Sequence, residues 1–380
     1  MVEVVMMVGE VINQGPFTPS TPLGLIIQLL FLLLFLIFMI FGQRIQMYML
    51  LKQVESSLDQ LKALRDEGKR MAIDALKEFG NPNTDPVARV DQFLEHIAIS
   101  PESMDPAGVV YKLEHILDVR NERFLDEVRL IAPKADDVQL HNLENLLEAA
   151  LALNEIYKVI RHYYLLGKKT LSYYIILQLQ MLLPLVIREA KAYAGALTAF
   201  FHGQPIGDGV GPLVAAKLMR GKEIKRIAKD IVAAETEIEG RKAYVVKAEG
   251  PGARVGKPGD AVKRIIEEHE GKIAAVIFVD AALKLEGEKL GEIADGVGVA
   301  MGGPGVEKFK VEGEATKYGV PVYAVIVKED IGDAVSPMHK DLYVAADNAI
   351  ERIKSIIRER TKEGDTIIVV GVGNTVGIGQ

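Results

Sequence analysis

The chain has 380 residues, of which 49% are hydrophobic and 26% charged, with a formal net charge of −7 and neither cysteine nor tryptophan. That length implies more than one domain and enough apolar residues for a sizeable core. The acidic balance excludes a nucleic-acid backbone as the main partner, and the missing cysteines exclude disulfides, thiol nucleophiles and Cys-ligated zinc.

No charged residue lies between Glu10 and Arg44, and Leu23–Gly42 has Gln28 as its only strongly polar side chain. A helix of about twenty such residues is roughly 30 Å long, the thickness of a hydrocarbon layer. The stretch therefore predicts one N-terminal transmembrane helix over 23–43. A cleaved signal peptide fits less well, because Glu3 and Glu10 precede the run and Lys or Arg does not. Arg44 and Lys52 follow it, so the positive-inside rule places residues 1–22 outside the cell membrane and the C-terminal body in the cytoplasm, as a single-pass protein. A second apolar stretch, Thr170–Ile187, contains Gln178, Gln180 and Pro184 and fits a buried or membrane-apposed helix better than a second span.

Residues 44–200 carry helical periodicity and little strand signal, which predicts a helical middle domain. Met47, Leu51, Val54, Leu58 and Leu61 alternate steps of four and three, an apolar seam that suits either intramolecular packing or a homo-oligomer through the juxtamembrane helix. Asn81-Pro82 and Asp85-Pro86 mark a break, and further helices are predicted around 87–97, 108–131 and 138–164. His96, His115, His141 and His162 have no ligand spacing and read as ordinary histidines.

From residue 201 onward, glycines and short β-branched runs predict an α/β domain, 201–380. Strands are predicted at Ile231–Ile238, Ala243–Ala248, Ala274–Val279, Val320–Val327 and Thr366–Val370, and helices at Pro212–Arg220, Asp260–His269, Val306–Tyr318 and Lys340–Arg360. Alternating units of this kind imply a mostly parallel sheet sandwiched between helices, with the active site at the carboxyl ends of the strands. Three residues stand at or beside such ends. Asp208 lies in GQPIGDGVGP, Asp280 ends the strand of AAVIFVDAAL, and His339 opens a long helix in SPMHKDL. Singly, such residues are common helix caps and turn formers. Together, two carboxylates and an imidazole on one rim suit a divalent metal or general acid–base chemistry.

These segments carry a resemblance. GQPIGDGVGPLVAAKL and AAVIFVDAAL resemble the first and second acidic segments of the hydrogenase maturation endopeptidases and the related spore germination proteases. The run GGPGVEK, Gly302–Lys308, is similar to the glycine-rich loop of the germination branch, and SPMHKDL to the histidine-plus-helix of the maturation branch. The likeness covers roughly the last 180 residues, and the whole chain also resembles an archaeal membrane-protein family of unknown function. The resemblance implies a phosphorylase/hydrolase-like fold with Asp208 and Asp280 catalytic. It implies a divalent metal (zinc, nickel or manganese) on Asp208, Asp280 and His339. Substrate would lie against Gly302, Gly303, Gly305, Lys308, Gly373 and Asn374. The family's opening Gly-x-Gly-Asn strand is absent before Asp208 and stands instead at the C-terminus, in DTIIVVGVGNTVGIGQ, which implies a permuted arrangement. No helix follows those glycines, so no nucleotide is expected. Gly-x-Ser-x-Gly, Walker and His-Glu-x-x-His motifs are absent too. The resulting expectation is a membrane-anchored α + α/β peptidase-like protein whose partners are the lipid bilayer and a protein or peptide substrate. The alternative is a non-catalytic membrane scaffold that keeps the fold.

Overall fold

The structure, a computed structural model, describes residues 22–97 and 108–380, apart from the side chains of residues 22–24, 38–41 and 43. It divides into two compact units, Met1–Asp59 with Val159–Pro184, and Gln60–Lys158 with Leu185–Gln380. The α-helices described before residue 203 are α1 (Pro22–Ala75), α2 (Val87–Phe93), α3 (Val109–Ile131), α4 (Asp137–Thr170) and α5 (Tyr173–His202).

The first unit corrects the membrane reading. Among the described residues, no helix is long and apolar enough to cross a membrane. The apolar run opens α1, which continues without a break through Arg44 and Lys52 to Ala75. The expected span over 23–43 therefore falls, and with it the single-pass topology, the cell-membrane localisation and the membrane-anchored fold class. Residues 1–21, assigned to the outside, lie beyond the described residues. In this unit Val54, Leu58, Ile160, Tyr164, Ile176, Leu179 and Leu183 are buried, and the Tyr164 hydroxyl donates to Glu55 Oε1 at 3.2 Å. Of the seam residues in this unit, Met47, Val54 and Leu58 are buried and Leu51 is half-buried, so their heptad spacing marks a packing face within the chain. The stretch 170–187 falls largely in α5, where Ile176, Leu179 and Leu183 are buried while Tyr174, Met181 and Leu185 are exposed, the pattern of a one-sided helix.

The second unit contains a seven-stranded sheet in the order β1-β2-β3-β7-β4-β6-β5. Its strands are β1 (Ile224–Ala228), β2 (Ile231–Ile238), β3 (Arg241–Ala248), β4 (Ala275–Leu283), β5 (Ile293–Val297), β6 (Val322–Glu329) and β7 (Thr366–Gly371). The sheet is mixed, which corrects the mostly parallel expectation. The inner strands β3, β7, β4 and β6 are parallel, whereas β1, β2 and β5 pair antiparallel. Glu239 and Gly240 both take positive φ (52° and 74°), as a tight hairpin turn requires, so β2 must return antiparallel as β3. The unforeseen strands are the two edges. IKRIA and IADGV are short and largely exposed, and neither offers an apolar run to read.

Side chains of alternate residues on the inner strands enter two cores. Ile277, Val279, Val327 and Val369 pack under α6 (Val210–Met219) and α10 (Lys340–Arg360). Val276, Phe278, Ile368 and Val370 pack under α7 (Pro258–Glu268) and α8 (Val306–Tyr318). A short helix, α9 (Ile331–Val335), follows β6. The C-terminal strand β7 is central, with β3 on one side and β4 on the other. Helix α6 rests on it by glycine. A Cβ at Gly211 would overlap the Val372 carbonyl and come 2.5 Å from that of Val279, and one at Gly371 would overlap Gly211.

Two outcomes are expected. Deleting Asp365–Gln380 removes a central strand buried on both faces, so circular dichroism should report loss of the cooperative α/β transition. Gly211→Ala has no room to relax against backbone carbonyls, and overpacking of this kind costs ~1–3 kcal/mol, measurable by denaturant unfolding.

Candidate active site

The rim above β4 and β7 is built by three chain segments. The first is the turn Ile206–Gly209 before α6, which is stitched to the loop after α9 by the Ile206–Pro337 bridge and by the Met338 amide donating to the Pro205 carbonyl at 2.7 Å. This turn carries Asp208. The second is the end of β4, which carries Asp280. The third is the glycine turn after β7, where the Asn374 backbone amide donates to Asp208 Oδ2 at 2.7 Å. Gly373 has φ 133°, and a Cβ there would overlap the Asp208 carbonyl, so only glycine brings this turn so close.

Asp208 and Asp280 line one cleft of about 510 Å³, together with Gly302, Gly303, Gly305 and Gly373. Added Cβ atoms at Gly302, Gly303 and Gly305 would meet only open space, so these glycines keep the cleft wall low rather than serving internal packing. The opposite wall comes from α3, through Glu114, Leu117, Asp118, Arg120 and Asn121. Helix α4 braces the site from behind. Asn142 and Asn145 clamp the backbone of Ala253 at 2.9 Å each, and the Asn374 side-chain amide donates to Asn145 Oδ1 at 3.1 Å. Asn374 is itself buried and positions Asp208, so it is unavailable to substrate.

The electrostatics favour protons on these acids. Burial, followed by the nearby charge of Asp208, pushes the Asp280 carboxyl up to about 8, against the donated amides of Ala281 (2.8 Å) and Gly302. Burial likewise holds Asp208 above the usual carboxylate range, against the Asn374 amide. A third acid went unrecognised in the sequence. Glu329, the last residue of β6, is 1% exposed, and burial followed by the charge of Asp208 pushes it up to about 9. Its signal was of the same kind as that of Asp280, an acid ending an apolar parallel strand, but the strand predicted at Val320–Val327 stops two residues short of it.

His339 does not join this cleft. It caps the N-terminus of α10, with Nδ1 accepting from the Asp341 amide at 3.3 Å and its side chain 55% exposed beside the Asp341 carboxylate. Lys308 also stays out, lying along α8 within 3.8 Å of Glu312. Among the described residues, the carboxylates close enough to share a metal are Glu114, Asp260 and Glu307. That position is taken by the Lys310 ammonium, at 2.6, 2.7 and 2.8 Å from the three. Their pull outweighs the desolvation of Lys310, whose pKa is raised well above the usual ammonium range. The donor set expected for zinc, nickel or manganese on Asp208, Asp280 and His339 is therefore not assembled, and the residues do not fit a bound metal.

Residues 28–203 match the N-terminal domain of the DUF1512 family, a protein of unknown function, and residues 206–379 match its C-terminal domain of unknown function. The chain carries both domains and belongs to that family. No curated protein matches it.

Between about pH 4 and 8, native Asp280 holds a proton that the unfolded chain has lost, so its contribution to stability falls as pH rises through that window. Asp280→Asn should flatten the decline of melting temperature with pH, and an unchanged slope would place the proton elsewhere.

Proposed function

We propose that this member of the DUF1512 family is an acid-pair hydrolase that cleaves a protein or peptide bond, with Asp208 and Asp280 as its reacting groups. The observation that carries the reading is the pair itself. Two carboxyls from separate elements share one open cleft at the strand ends, and one of them has its pKa pushed into the neutral range by burial and by the other. Such a pair ionises once before it ionises twice, so one member is a base while its neighbour keeps a proton. The ionised aspartate takes a proton from a water as the water oxygen bonds to the carbonyl carbon. The protonated one then delivers its proton to the departing amine nitrogen as the C–N bond breaks. Electrons and protons balance with no group from outside the pair. The order of acidic segments and glycine loop that resembles the germination-protease branch supports the same chemistry, which in that branch rests on an aspartate pair. The low wall at Gly302–Gly305 gives an extended backbone room to lie beside the acids.

The test is cleavage of a quenched-fluorescent peptide library by the full chain, followed by Asp208→Asn and Asp280→Asn. Each substitution should lower kcat/KM by ~10²–10⁴-fold, the usual share of a general acid or base, while leaving a cooperative melting transition near neutral pH that is no lower than that of wild type. Activity that survives Asp280→Asn, or a wild-type chain that cleaves no peptide at any pH from acid to alkaline, would overturn the reading.

A further inference from the structure

Glu329 has no role in that scheme, and its surroundings are unusual. Along β4, Asp280 shares its side with Phe278, which packs in the core under α7 and α8. Along β6, Glu329 shares its side with Val327, which packs in the core under α6 and α10. The two acids thus leave the sheet on opposite faces, and the turn bearing Asp208 caps the rim. Glu329 backs directly onto that turn. A Cβ at Gly207 would overlap both Glu329 Oε2 and the Asp333 carbonyl oxygen, so these two oxygens flank one glycine next to Asp208. The charges that reach Glu329 are Asp208 from the turn, Asp333 from α9 and Asp280 from β4, all negative. Asp330, beside it in the chain, spends its charge on Arg188 and on the Gly332 amide.

Hydrogen bonding separates the three acids. Asp208 accepts from the Asn374 amide, and Asp280 from the amides of Ala281 and Gly302. Glu329 Oε2 is buried with no hydrogen-bond partner among the described residues. Amide donors stabilise an anion, and an oxygen without them cannot carry charge in a dry interior. We propose that Glu329 is a positioning residue of the Asp208–Asp280 site: a neutral carboxylic acid wedged behind Asp208 that keeps the negative charge of the trio on the aspartate pair. Were Glu329 ionised, its charge would reprotonate Asp208 and remove the base. This inference rests on the hydrolase reading for its consequence and on geometry alone for its proton.

Infrared spectroscopy of the full chain labelled with ¹³C-carboxyl glutamate tests it, because the label shifts glutamate C=O bands away from those of aspartate. A protonated-glutamate band should persist above neutral pH and disappear near pH 9. It should be lost in Glu329→Gln and kept in Glu148→Gln, which controls for the other glutamate held up by burial. A wild-type spectrum in which every glutamate band disappears below about pH 6 would overturn the assignment, and this holds even if Glu329→Gln fails to fold. So would a band that survives Glu329→Gln. The readouts are separable. A chain that keeps the band yet hydrolyses nothing defeats the hydrolase reading and leaves the proton on Glu329. A chain that hydrolyses peptides without the band defeats only the proton assignment.

Discussion

Gly211 sits at the start of α6 with the carbonyls of Val279 and Val372 pressed against it, where any side chain would collide. This backbone-to-backbone contact sets how low the helix lies on the sheet. Because α6 is low, the turn before it reaches over the ends of β4 and β7, and Asp208 comes within hydrogen-bond distance of the Asn374 amide. The same logic repeats at Gly371 and Gly373, whose missing side chains let β7 and its turn close on Asp208. Remove the approach, and the two aspartates lose their common rim. The glycines at the cleft wall obey a different rule. Gly303 and Gly305 take positive φ and face open space, so the backbone conformation alone requires glycine there.

Close packing also explains why the site is acidic yet mostly uncharged. An apolar sheet end offers few donors, and each buried carboxyl raises the cost of ionising the next. Asp208, Asp280 and Glu329 all shift in the same direction, and burial is the first cause for each. Protons are the cheapest counter-ions in such a place, and unlike a lysine they can move during a reaction.

The inner strands were legible in the sequence because a strand buried on both faces must be apolar throughout. Val276–Val279 and Ile367–Val370 are such runs, and their glycine and acid punctuation marks where each one ends. The edges were not legible. β1 and β5 are short, mix exposed with half-buried residues and have no continuous apolar run. At the site, Asp208, Asp280 and the glycine turn could be read from their positions at strand and helix ends. His339 illustrates the reverse. A histidine one residue before a long helix looks like a ligand, but its imidazole is spent on the Asp341 amide, a local cap invisible to spacing. The wall from α3 was illegible for a further reason: Glu114 and Asp118 come from a helix more than eighty residues upstream in sequence, and their ion pairs with Lys257 and Lys310 exist only after folding. The apolar run at the start of α1 misled because hydropathy along a chain does not state where a helix stops.

Two trios of carboxyls thus stand near one cleft, and the protein treats them in opposite ways. Glu114, Asp260 and Glu307 are partly exposed, and the ammonium of Lys310 binds all three. Glu307 is further held by the amides of Gly259 and Asp260 at the start of α7, at 2.8 and 3.3 Å. That cluster joins α3, α7 and α8 into one wall. Among the described residues no ion pair reaches the inner trio, and burial is the first cause that raises each of its pKa values. A wall of locked ion pairs facing carboxyls with unlocked protons is a division of labour. The first holds the shape of the cleft across a wide pH range, since its lysine titrates far above neutrality. The second responds within the neutral range, since Asp280 titrates near 8. Chemistry at this rim therefore depends on pH through the buried acids alone, while the geometry that presents them does not.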